Sequence, residues 1–322
     1  MKLNSIAVAA CATAGLLAAV PASAACSLKT QPIAVKMTGA IPMVTNGLPM
    51  VEVKVNGKTG HFLLDSGSAV NQISAKFAAA QKLTSTKVTD KGPAVATVAK
   101  FEFAGATLAN VPFASTDRLG EADGVIGQTV LRQGDVEYDL MGGKVQLAKA
   151  EGCEGVAMVY WAKDGQTYSE MPLEPLDKDA PFTKSEVTIN GVKLRAMFDS
   201  GLPYTTITEK AAAKVGVKPG DPGVKSFGDA AARVWLGAFA SVKIGDEEIK
   251  NAPLEIVRSD DDSYEVLLGA DFFAAHHIYV ANSQGKIYLT YSGLPGAPVF
   301  MAHTPQPAGM DTTAASRGRL EH

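Results

Sequence analysis

The chain alternates apolar and polar residues in short runs, a pattern typical of half-buried β-strands. Residues 51–55 read Val-Glu-Val-Lys-Val, and Asn56-Gly57 follows them. This dipeptide strongly favours a tight hairpin, because both residues accept positive φ. An apolar run at 62–64 then leads directly into Asp65. The pattern therefore predicts a hairpin whose returning strand ends at an aspartate.

The same pattern occurs a second time, 134 residues later and without a gap. Residues 187–201 repeat residues 53–67 with six identical positions, and both segments end in Asp-Ser-Gly. Four further landmarks recur in the same order: the helix N-caps Ser74 and Thr208, then 110–112 with 251–253, 125–127 with 267–269, and 143–147 with 285–289. Matched landmarks in one order indicate a duplicated domain.

Each half is predicted to consist mostly of β-strands, with few and short helices. Further strands are expected at 100–104, 111–115, 136–140 and 144–148, and at 240–244, 252–257, 278–281 and 286–291. The halves meet near 155–180, where three prolines interrupt the chain. The segment after Gly293 is rich in Pro, Gly, Ala and Thr, a composition that predicts disorder. The expected fold class is all-β.

The composition fits a globular protein and excludes several classes of function. Apolar residues make up 46% of the 322 residues, which is enough for sizeable cores. The net charge of −3 leaves no basic excess for a phosphate backbone, so nucleic acid is not an expected partner. No metal is expected either, since His276-His277 are interpreted as ordinary helix-end residues and 260–262 as a solvated loop.

The N-terminus has the features of a secretory signal peptide. A basic residue precedes an Ala/Leu/Val-rich run, and small residues predict cleavage near Ala24 or Ala25. The expected mature chain is periplasmic or secreted, without stable membrane insertion, and keeps only Cys26 and Cys153. Because thiols tend to pair in an oxidising compartment, we predict a Cys26–Cys153 disulfide. Lipid attachment at Cys26 and two free thiols are the alternatives.

The repeated Asp-Ser-Gly tripeptide is the candidate chemical site. In each half a strand of large apolar residues ends at the aspartate, Asp65 or Asp199, and the glycine allows a tight turn. A two-fold arrangement of the halves would bring both carboxylates to the axis. Two close carboxylates cannot both ionise easily, so one holds a proton that the other lacks. Such a pair can activate a water molecule and protonate a leaving group.

In these loops the sequence resembles the retropepsin-like aspartic proteases, the family of retroviral type. The family signature is an apolar-apolar-Asp-Ser/Thr-Gly loop with a later apolar-apolar-Gly. It occurs at 63–67 with 125–127, and again at 197–201 with 267–269. The resemblance implies two tandem closed β-barrel lobes related by a pseudo-two-fold. The expected division is a signal peptide at 1–25, lobes at 26–158 and 159–292, and a tail at 293–322.

The same resemblance implies roles for individual residues. Asp65 and Asp199 would be the catalytic pair, and the hydroxyls of Ser66 and Ser200 would hydrogen-bond across the two-fold. Supporting or structural roles near the site would fall to Gly67, Ser68, Gly201, Gly127 and Gly269. Flaps at 91–94 and 226–229 would close over an extended peptide. The implied partner is a peptide or unfolded protein, and no cofactor is implied.

One position differs between the two loops. Ser68 is placed to hydrogen-bond the Asp65 carboxylate, whereas Leu202 in the second loop cannot do so for Asp199. The leading interpretation is an aspartic endopeptidase that uses a water activated by Asp65 and Asp199. The alternative is a non-catalytic peptide- or protein-binding module that retains the double-barrel fold. Both aspartate loops are intact, which favours catalysis, and a monomer and a homodimer are both compatible with the sequence.

Overall fold

A computed structural model describes residues 26–30, 33–37, 47–87, 92–177, 180–227, 234–293 and 296–301. The predicted signal peptide and most of the predicted tail lie outside these residues. Each predicted strand is present, and most extend further than predicted. None of the helices among the described residues is long and apolar enough to cross a membrane.

From β3 and β13 onwards, the strands and helices of the two halves follow one another in the same order. The first half contains β1 (Ser27–Thr30), β2 (Ile33–Met37), β3 (Pro49–Val55), β4 (Lys58–Leu64), β5 (Gln72–Ser74), α1 (Ala75–Ala80), β6 (Ser85–Lys87), β7 (Ala94–Phe103), β8 (Ala106–Thr116), β9 (Gly124–Ile126), α2 (Gln128–Leu131), β10 (Asp135–Asp139) and β11 (Lys144–Glu151). The second half contains β12 (Ser169–Pro172), β13 (Lys184–Ile189), β14 (Val192–Phe198), β15 (Thr206–Thr208), α3 (Glu209–Lys214), β16 (Lys225–Phe227), β17 (Val234–Ile244), β18 (Glu247–Val257), β19 (Val266–Leu268), α4 (Ala270–Ala275), β20 (His276–Ala281) and β21 (Lys286–Tyr291).

Each half forms a closed barrel of six strands. In the first barrel the order is β3-β4-β9-β5-β8-β7, and pairing between β7 and β3 closes the ring. The second barrel repeats this order as β13-β14-β19-β15-β18-β17, closed by β17 and β13. Both barrels contain one parallel pair that ends at the predicted aspartate, β4–β9 in the first and β14–β19 in the second. The prediction of two tandem β-barrel lobes with few short helices is confirmed.

Local sequence explains the turns and helix starts that the two halves share. Asn56 and Gly57 have φ values of 50° and 85°, so both adopt the left-handed conformation that the β3–β4 hairpin requires. The hairpin between β13 and β14 turns in the same way. Ser74 and Thr208 cap α1 and α3, since each hydroxyl accepts a hydrogen bond from a backbone N–H in the first turn.

Aromatic side chains fill the two barrels. Phe62, Phe101 and Phe113 contact one another inside the first barrel, with ring centroids 5.2–6.2 Å apart. In the second barrel Phe198 packs edge-on against Phe272 at 5.9 Å. All five rings are fully buried. Burial of such a side chain stabilises the folded state by roughly 2–3 kcal/mol, so each lobe has its own apolar core.

A sheet shared by both halves joins the barrels. Strands β10 and β20 pair antiparallel at its centre, with Tyr138 opposite Ile278. Strand β11 flanks β10, and β21 flanks β20. Strand β12 forms one edge, while β11 pairs on its other side with β1 and with β2, which continues the sheet into the first barrel. Because the hairpins β10–β11 and β20–β21 come from different halves, the main-chain ladder itself holds the lobes together.

His276 is the C-cap of α4, as its interpretation as a helix-end residue expected, and strand β20 begins at the same residue. For His277 that interpretation is wrong, because this residue lies within the strand. Helix α4 ends at Ala275, and the β-branched and aromatic run Ile278-Tyr279-Val280 continues as a central strand between β10 and β21. Both imidazoles are buried and bind carboxylates of other strands. His276 Nε2 lies 2.6 Å from Glu247 Oε2.

The imidazole of His277 belongs to a buried cluster between the lobes. Its Nε2 lies 2.6 Å from Glu137 Oε1, and Trp161 of the interlobe linker stacks on its ring at 4.0 Å. Tyr160 and Gln146 also donate hydrogen bonds to Glu137. Burial raises the pKa of Glu137, but these hydrogen bonds outweigh burial and hold the pKa below its usual value.

A disulfide holds the first described segment, and a packing contact holds the last one. Cys26 and Cys153, the two cysteines paired from the sequence, form a disulfide between residues 127 positions apart. At the other end, Phe300 is buried and stacks on Phe272, and Met301 N donates to Asp271 Oδ2 at 3.1 Å. Residues 296–301 of the predicted tail are therefore packed on the second barrel.

We expect replacement of Cys26 and Cys153 by serine to lower the free energy of unfolding by about 2–5 kcal/mol. The disulfide restricts the unfolded chain across a long loop, and this restriction is lost in the variant. Urea denaturation of the oxidised mature chain and of the double variant measures the difference. Equal midpoints for the two proteins would contradict the expectation.

Candidate active site

Two loops with equivalent geometry carry the predicted aspartates. Asp65 follows β4, and its backbone N–H donates to Ile126 O of the parallel strand β9 at 3.0 Å. Asp199 follows β14, and its N–H donates to Leu268 O of β19 at 2.9 Å. The parallel ladders thus extend through both aspartates. Both side chains are buried, at 2% and 0% exposure.

Gly127 and Gly269 allow the segment after β9 or β19 to pack tightly on each loop. A Cβ atom on Gly127 would lie 2.6 Å from Ser68 O, and one on Gly269 would lie 2.5 Å from the carbonyl carbon of Tyr204. The residue after each glycine donates its N–H to the loop, to Ser68 O at 2.8 Å or to Leu202 O at 2.7 Å. A larger residue at either glycine would separate these partners.

The serines of the two loops exchange hydrogen bonds across the lobes. Ser66 Oγ donates to Phe198 O at 2.8 Å and accepts from Ser200 N at 2.9 Å. In return, Ser200 Oγ donates to Leu64 O at 2.8 Å and accepts from Ser66 N at 3.1 Å. All four hydrogen bonds are buried. Each loop therefore depends on the opposite lobe for its hydrogen-bond partners.

This exchange sets each carboxylate against the glycine of the other loop. A Cβ atom on Gly67 would lie 2.2 Å from Asp199 Cγ, and one on Gly201 would lie 2.3 Å from Asp65 Cγ. Each aspartate also accepts a hydrogen bond at Oδ1 from the glycine N–H of its own loop, at 3.0 and 3.1 Å. Both carboxylates therefore lie at the axis between the lobes, where no side chain separates them from the opposite loop.

Ser68 does not bind the Asp65 carboxylate as the sequence comparison suggested. Its hydroxyl donates to Val70 O at 2.8 Å and accepts from Gln72 Nε2 at 3.2 Å. The loop turns back at residues 68–70, so the nearest acceptor of this hydroxyl is a carbonyl two residues ahead. Despite the difference between Ser68 and Leu202, each aspartate accepts an equivalent hydrogen bond from the glycine of its own loop.

Sequence reasoning missed an equivalent pair, Asn71 and Thr205, that supports the loops. Asn71 Oδ1 accepts from Gly127 N at 2.9 Å, and Thr205 Oγ1 accepts from Gly269 N at 3.0 Å. The two residues lie 134 positions apart, as the aspartates do, so the repeat could have revealed them. Gln128, also missed, donates to Ser66 O at 2.6 Å and has no amide counterpart in the second lobe.

The second lobe contains two buried carboxyl groups beside its loop. Burial raises the pKa of Asp271 to about 6, although Thr205 Oγ1 donates to it at 2.7 Å. Burial, followed by the charge of Asp271, raises the pKa of Glu255 to about 7. In the first lobe burial, followed by the charge of Asp65, raises the pKa of Tyr138 on the shared sheet. The site thus has acidic surroundings mainly on the side of the second lobe.

Other candidate sites hold no comparable arrangement. Among the described residues, no group of three or more His, Cys, Asp or Glu side chains is placed to hold a metal ion. Residues 260–262 are exposed, as expected for a solvated loop. The predicted flaps fall at the turns of the hairpins β6–β7 and β16–β17, where Lys91 and residues 228–229 lie outside the described residues.

Comparison with known families agrees with the duplicated site. A family model described as aspartyl protease matches residues 51–130 and 185–272, which together make up slightly more than half of the chain. Among solved structures, the chain is similar to the aspartic proteinase from Irpex lacteus, with a TM-score of 0.49 and 11% sequence identity. That similarity covers 84% of this chain and 99% of the other. No curated protein matches the chain.

Removal of either serine hydroxyl should destabilise the protein by on the order of 2 kcal/mol or more. Ser66→Ala leaves Phe198 O and Ser200 N without these bonds in a buried interface, and Ser200→Ala does the same to Leu64 O and Ser66 N. Urea denaturation measures the loss. Ser68→Ala is the matched control, since its hydroxyl bonds only within its own lobe. Equal losses in all three variants would contradict an interlobe role.

Glu255 should make the protein less stable as the pH rises. Its pKa is raised from the ordinary value near 4.5 to about 7, so the folded state holds the proton more tightly than the unfolded state. The stabilisation that the bound proton gives the folded state is complete below about pH 4.5 and is lost as the pH rises through 7. Relative to Glu255→Gln, the wild-type chain should lose roughly 2–3 kcal/mol between pH 5 and pH 8.

Urea denaturation at the two pH values tests this expectation. Glu248→Gln, at an exposed position of the same strand, is the control: hydrogen bonds from Lys250 and Ser241 lower the pKa of Glu248, so it titrates below this range and its removal should leave the difference between pH 5 and pH 8 unchanged. Parallel profiles for wild type and Glu255→Gln would contradict the raised pKa.

Proposed function

The chain belongs to the aspartyl protease family, and we propose that it is an endopeptidase that hydrolyses peptide bonds with the pair Asp65 and Asp199. One observation carries the proposal: both Asp-Ser-Gly loops are intact, and their serines interlock so that two buried carboxylates lie at the interlobe axis. A fold alone does not establish an activity, but two equivalent acidic loops at one axis supply the groups that the reaction needs.

In the proposed reaction the two carboxyl groups share one proton. The ionised carboxylate accepts a proton from a water molecule, whose oxygen attacks the carbonyl carbon of the scissile peptide bond. The protonated partner donates its proton to the carbonyl oxygen, which gives a neutral tetrahedral diol. The carboxyl group that took the proton of the water then donates it to the peptide nitrogen, while the other carboxylate accepts a proton from a hydroxyl of the diol. The carbon–nitrogen bond breaks, and a carboxylic acid and an amine are released. The carboxyl groups end with one proton between them, ready for another water.

The symmetry of the loops leaves either aspartate able to act as the base. Gly67 N donates to Asp65 and Gly201 N donates to Asp199 through equivalent bonds. Such N–H donors stabilise the ionised form of whichever carboxylate lacks the proton. The direction in which the peptide lies across the axis would then decide which carboxylate faces the water and which faces the carbonyl oxygen.

The proposed substrate is an extended segment of a peptide or unfolded protein. The hairpins β6–β7 and β16–β17 occupy equivalent positions in the two lobes. We propose that the flap candidates of the sequence, 91–94 and 226–229, close over the substrate beside them. An extended chain held between them would bind through main-chain hydrogen bonds and present alternate side chains to each lobe.

We also propose that the mature protein acts in the periplasm or outside the cell, after removal of the predicted signal peptide at residues 1–25. The Cys26–Cys153 disulfide supports this location, because such bonds form and persist in oxidising compartments. Two paired thiols also leave no free Cys26 for the alternative of lipid attachment.

Asp65→Asn and Asp199→Asn should each reduce peptide cleavage by about 1,000-fold or more, since either change removes one half of the acid–base pair. Their effects should not add in the double variant, because one substitution already destroys the pair. Cleavage of unfolded casein across a pH series measures activity, and wild type should show a bell-shaped profile. Asp260→Asn, in an exposed loop, is the matched control.

The outcomes separate the competing interpretations. If Asp199→Asn keeps full activity, the second loop is structural and the catalytic pair must come from Asp65 of two chains. If both variants keep the activity, the endopeptidase mechanism is wrong. Absence of cleavage by the folded wild-type protein, together with retained peptide binding, would support the non-catalytic binding module.

A further inference from the structure

Four side chains form a row beside Asp199 on the outer face of the second barrel, here called the second cleft row. Met197 lies opposite Leu267, Leu267 opposite Thr206, and Thr206 opposite Glu255 on strands β14, β19, β15 and β18. Side chains two residues apart on a strand point to the same face. Met197 therefore shares the face of Asp199, and the row continues this face away from the interlobe axis.

The opposite face of the same strands points into the barrel. Phe198, Leu268, Ile207 and Ile256 alternate with the row and all belong to the apolar core. Because Asp199 lies against Gly67 of the other lobe, the inner end of the row borders the cleft between the lobes, and the row lies on the face away from the barrel interior. Under the proposed function, this cleft is where the substrate lies.

The row becomes polar at its outer end. Thr206 is only 4% exposed. Its hydroxyl oxygen is buried and has no hydrogen-bond partner among the described residues. Beside it, Glu255 is 8% exposed, and burial together with the nearby Asp271 raises its pKa. The buried hydroxyl can accept a hydrogen bond, and a nearby positive charge would stabilise the ionised form of the carboxyl group. Both groups are therefore complementary to a cationic N–H donor.

The equivalent row of the first barrel differs in chemistry. It consists of Leu63, Val125, Gln72 and Ala114, which pair in the same way across β4, β9, β5 and β8. Ala114 stands where the second row has Glu255, and the amide of Gln72 donates to Ser68 Oγ within its own loop. The first row therefore offers an apolar wall with a satisfied amide, and only the second row ends in a carboxyl group.

We propose that the outer end of the second cleft row is a specificity subsite that binds a lysine or arginine side chain of the substrate, with Thr206 and Glu255 as its acceptors. The inference rests on the proposed endopeptidase function, which places the substrate in the cleft. Glu255 lies three strand spacings, or about 14 Å, from the strand that carries Asp199. The side chain that reaches it belongs to a residue beyond the two that flank the scissile bond.

Matched peptides test the subsite. Each position of a cleavable peptide is occupied in turn by lysine, arginine or norleucine, and kcat/KM is measured for every peptide. Wild type should prefer lysine or arginine over norleucine by about tenfold or more at one position on one side of the scissile bond. Glu255→Gln should bring this ratio close to one while cleavage of the norleucine peptide continues, and Thr206→Val should reduce the ratio partly.

Glu248→Gln, an exposed variant on the same strand, should keep the preference of wild type. The proposal is overturned if wild type shows no preference for a basic residue at any position, or if Glu255→Gln keeps that preference.

Failure of the endopeptidase function would appear differently, as absence of cleavage for every peptide. The binding of uncleavable analogues, in which the scissile peptide bond is reduced, is therefore measured by calorimetry alongside the cleavage assay. Tighter binding of the lysine analogue than of the norleucine analogue, lost in Glu255→Gln, supports the subsite whether or not the protein cleaves peptides. Equal affinities for the two analogues would overturn it.

Discussion

The exchange of hydrogen bonds between Ser66 and Ser200 is the interaction on which the site depends. A buried backbone N–H or carbonyl needs a partner, and each loop finds that partner in the other lobe. Neither lobe can therefore complete its own aspartate loop. The same exchange sets Asp65 against Gly201 and Asp199 against Gly67, so that the position of each carboxylate depends on residues more than 130 positions away in the sequence.

The shared sheet holds the lobes in the register that this exchange requires. Strands β10 and β20 form its centre, and their pairing joins the hairpin that follows α2 to the hairpin that follows α4. On one face the buried pair of Glu137 and His277 joins the lobes, covered by Trp161 of the linker. A buried carboxylate is costly unless it is paired and hydrogen-bonded, and Glu137 satisfies this condition with groups from three separate elements.

Duplication supplies two equivalent loops, but the rows of side chains beside them have diverged. Asn71 and Thr205 have equivalent roles despite their different side chains, since an oxygen of each accepts a hydrogen bond from a glycine N–H. Farther from the axis the equivalents differ in chemistry, as Ala114 and Glu255 do. A peptide has a direction, so a groove that recognises it gains from two unlike walls around a symmetrical centre. Under the proposed function, the geometry at the axis and the surface that would recognise the peptide can thus change independently.

The sequence by itself determined the strands, the Asn-Gly hairpins, the duplication and the two aspartate loops. These features depend on alternation and turn chemistry, which neighbouring residues specify. Tertiary structure decided the remaining contacts: the carbonyl that Ser68 binds, the partner of His277, and the burial that gives Glu255 its raised pKa. Those outcomes depend on which groups from distant strands come within hydrogen-bond distance and how much water they exclude, and no local pattern of residues contains that information.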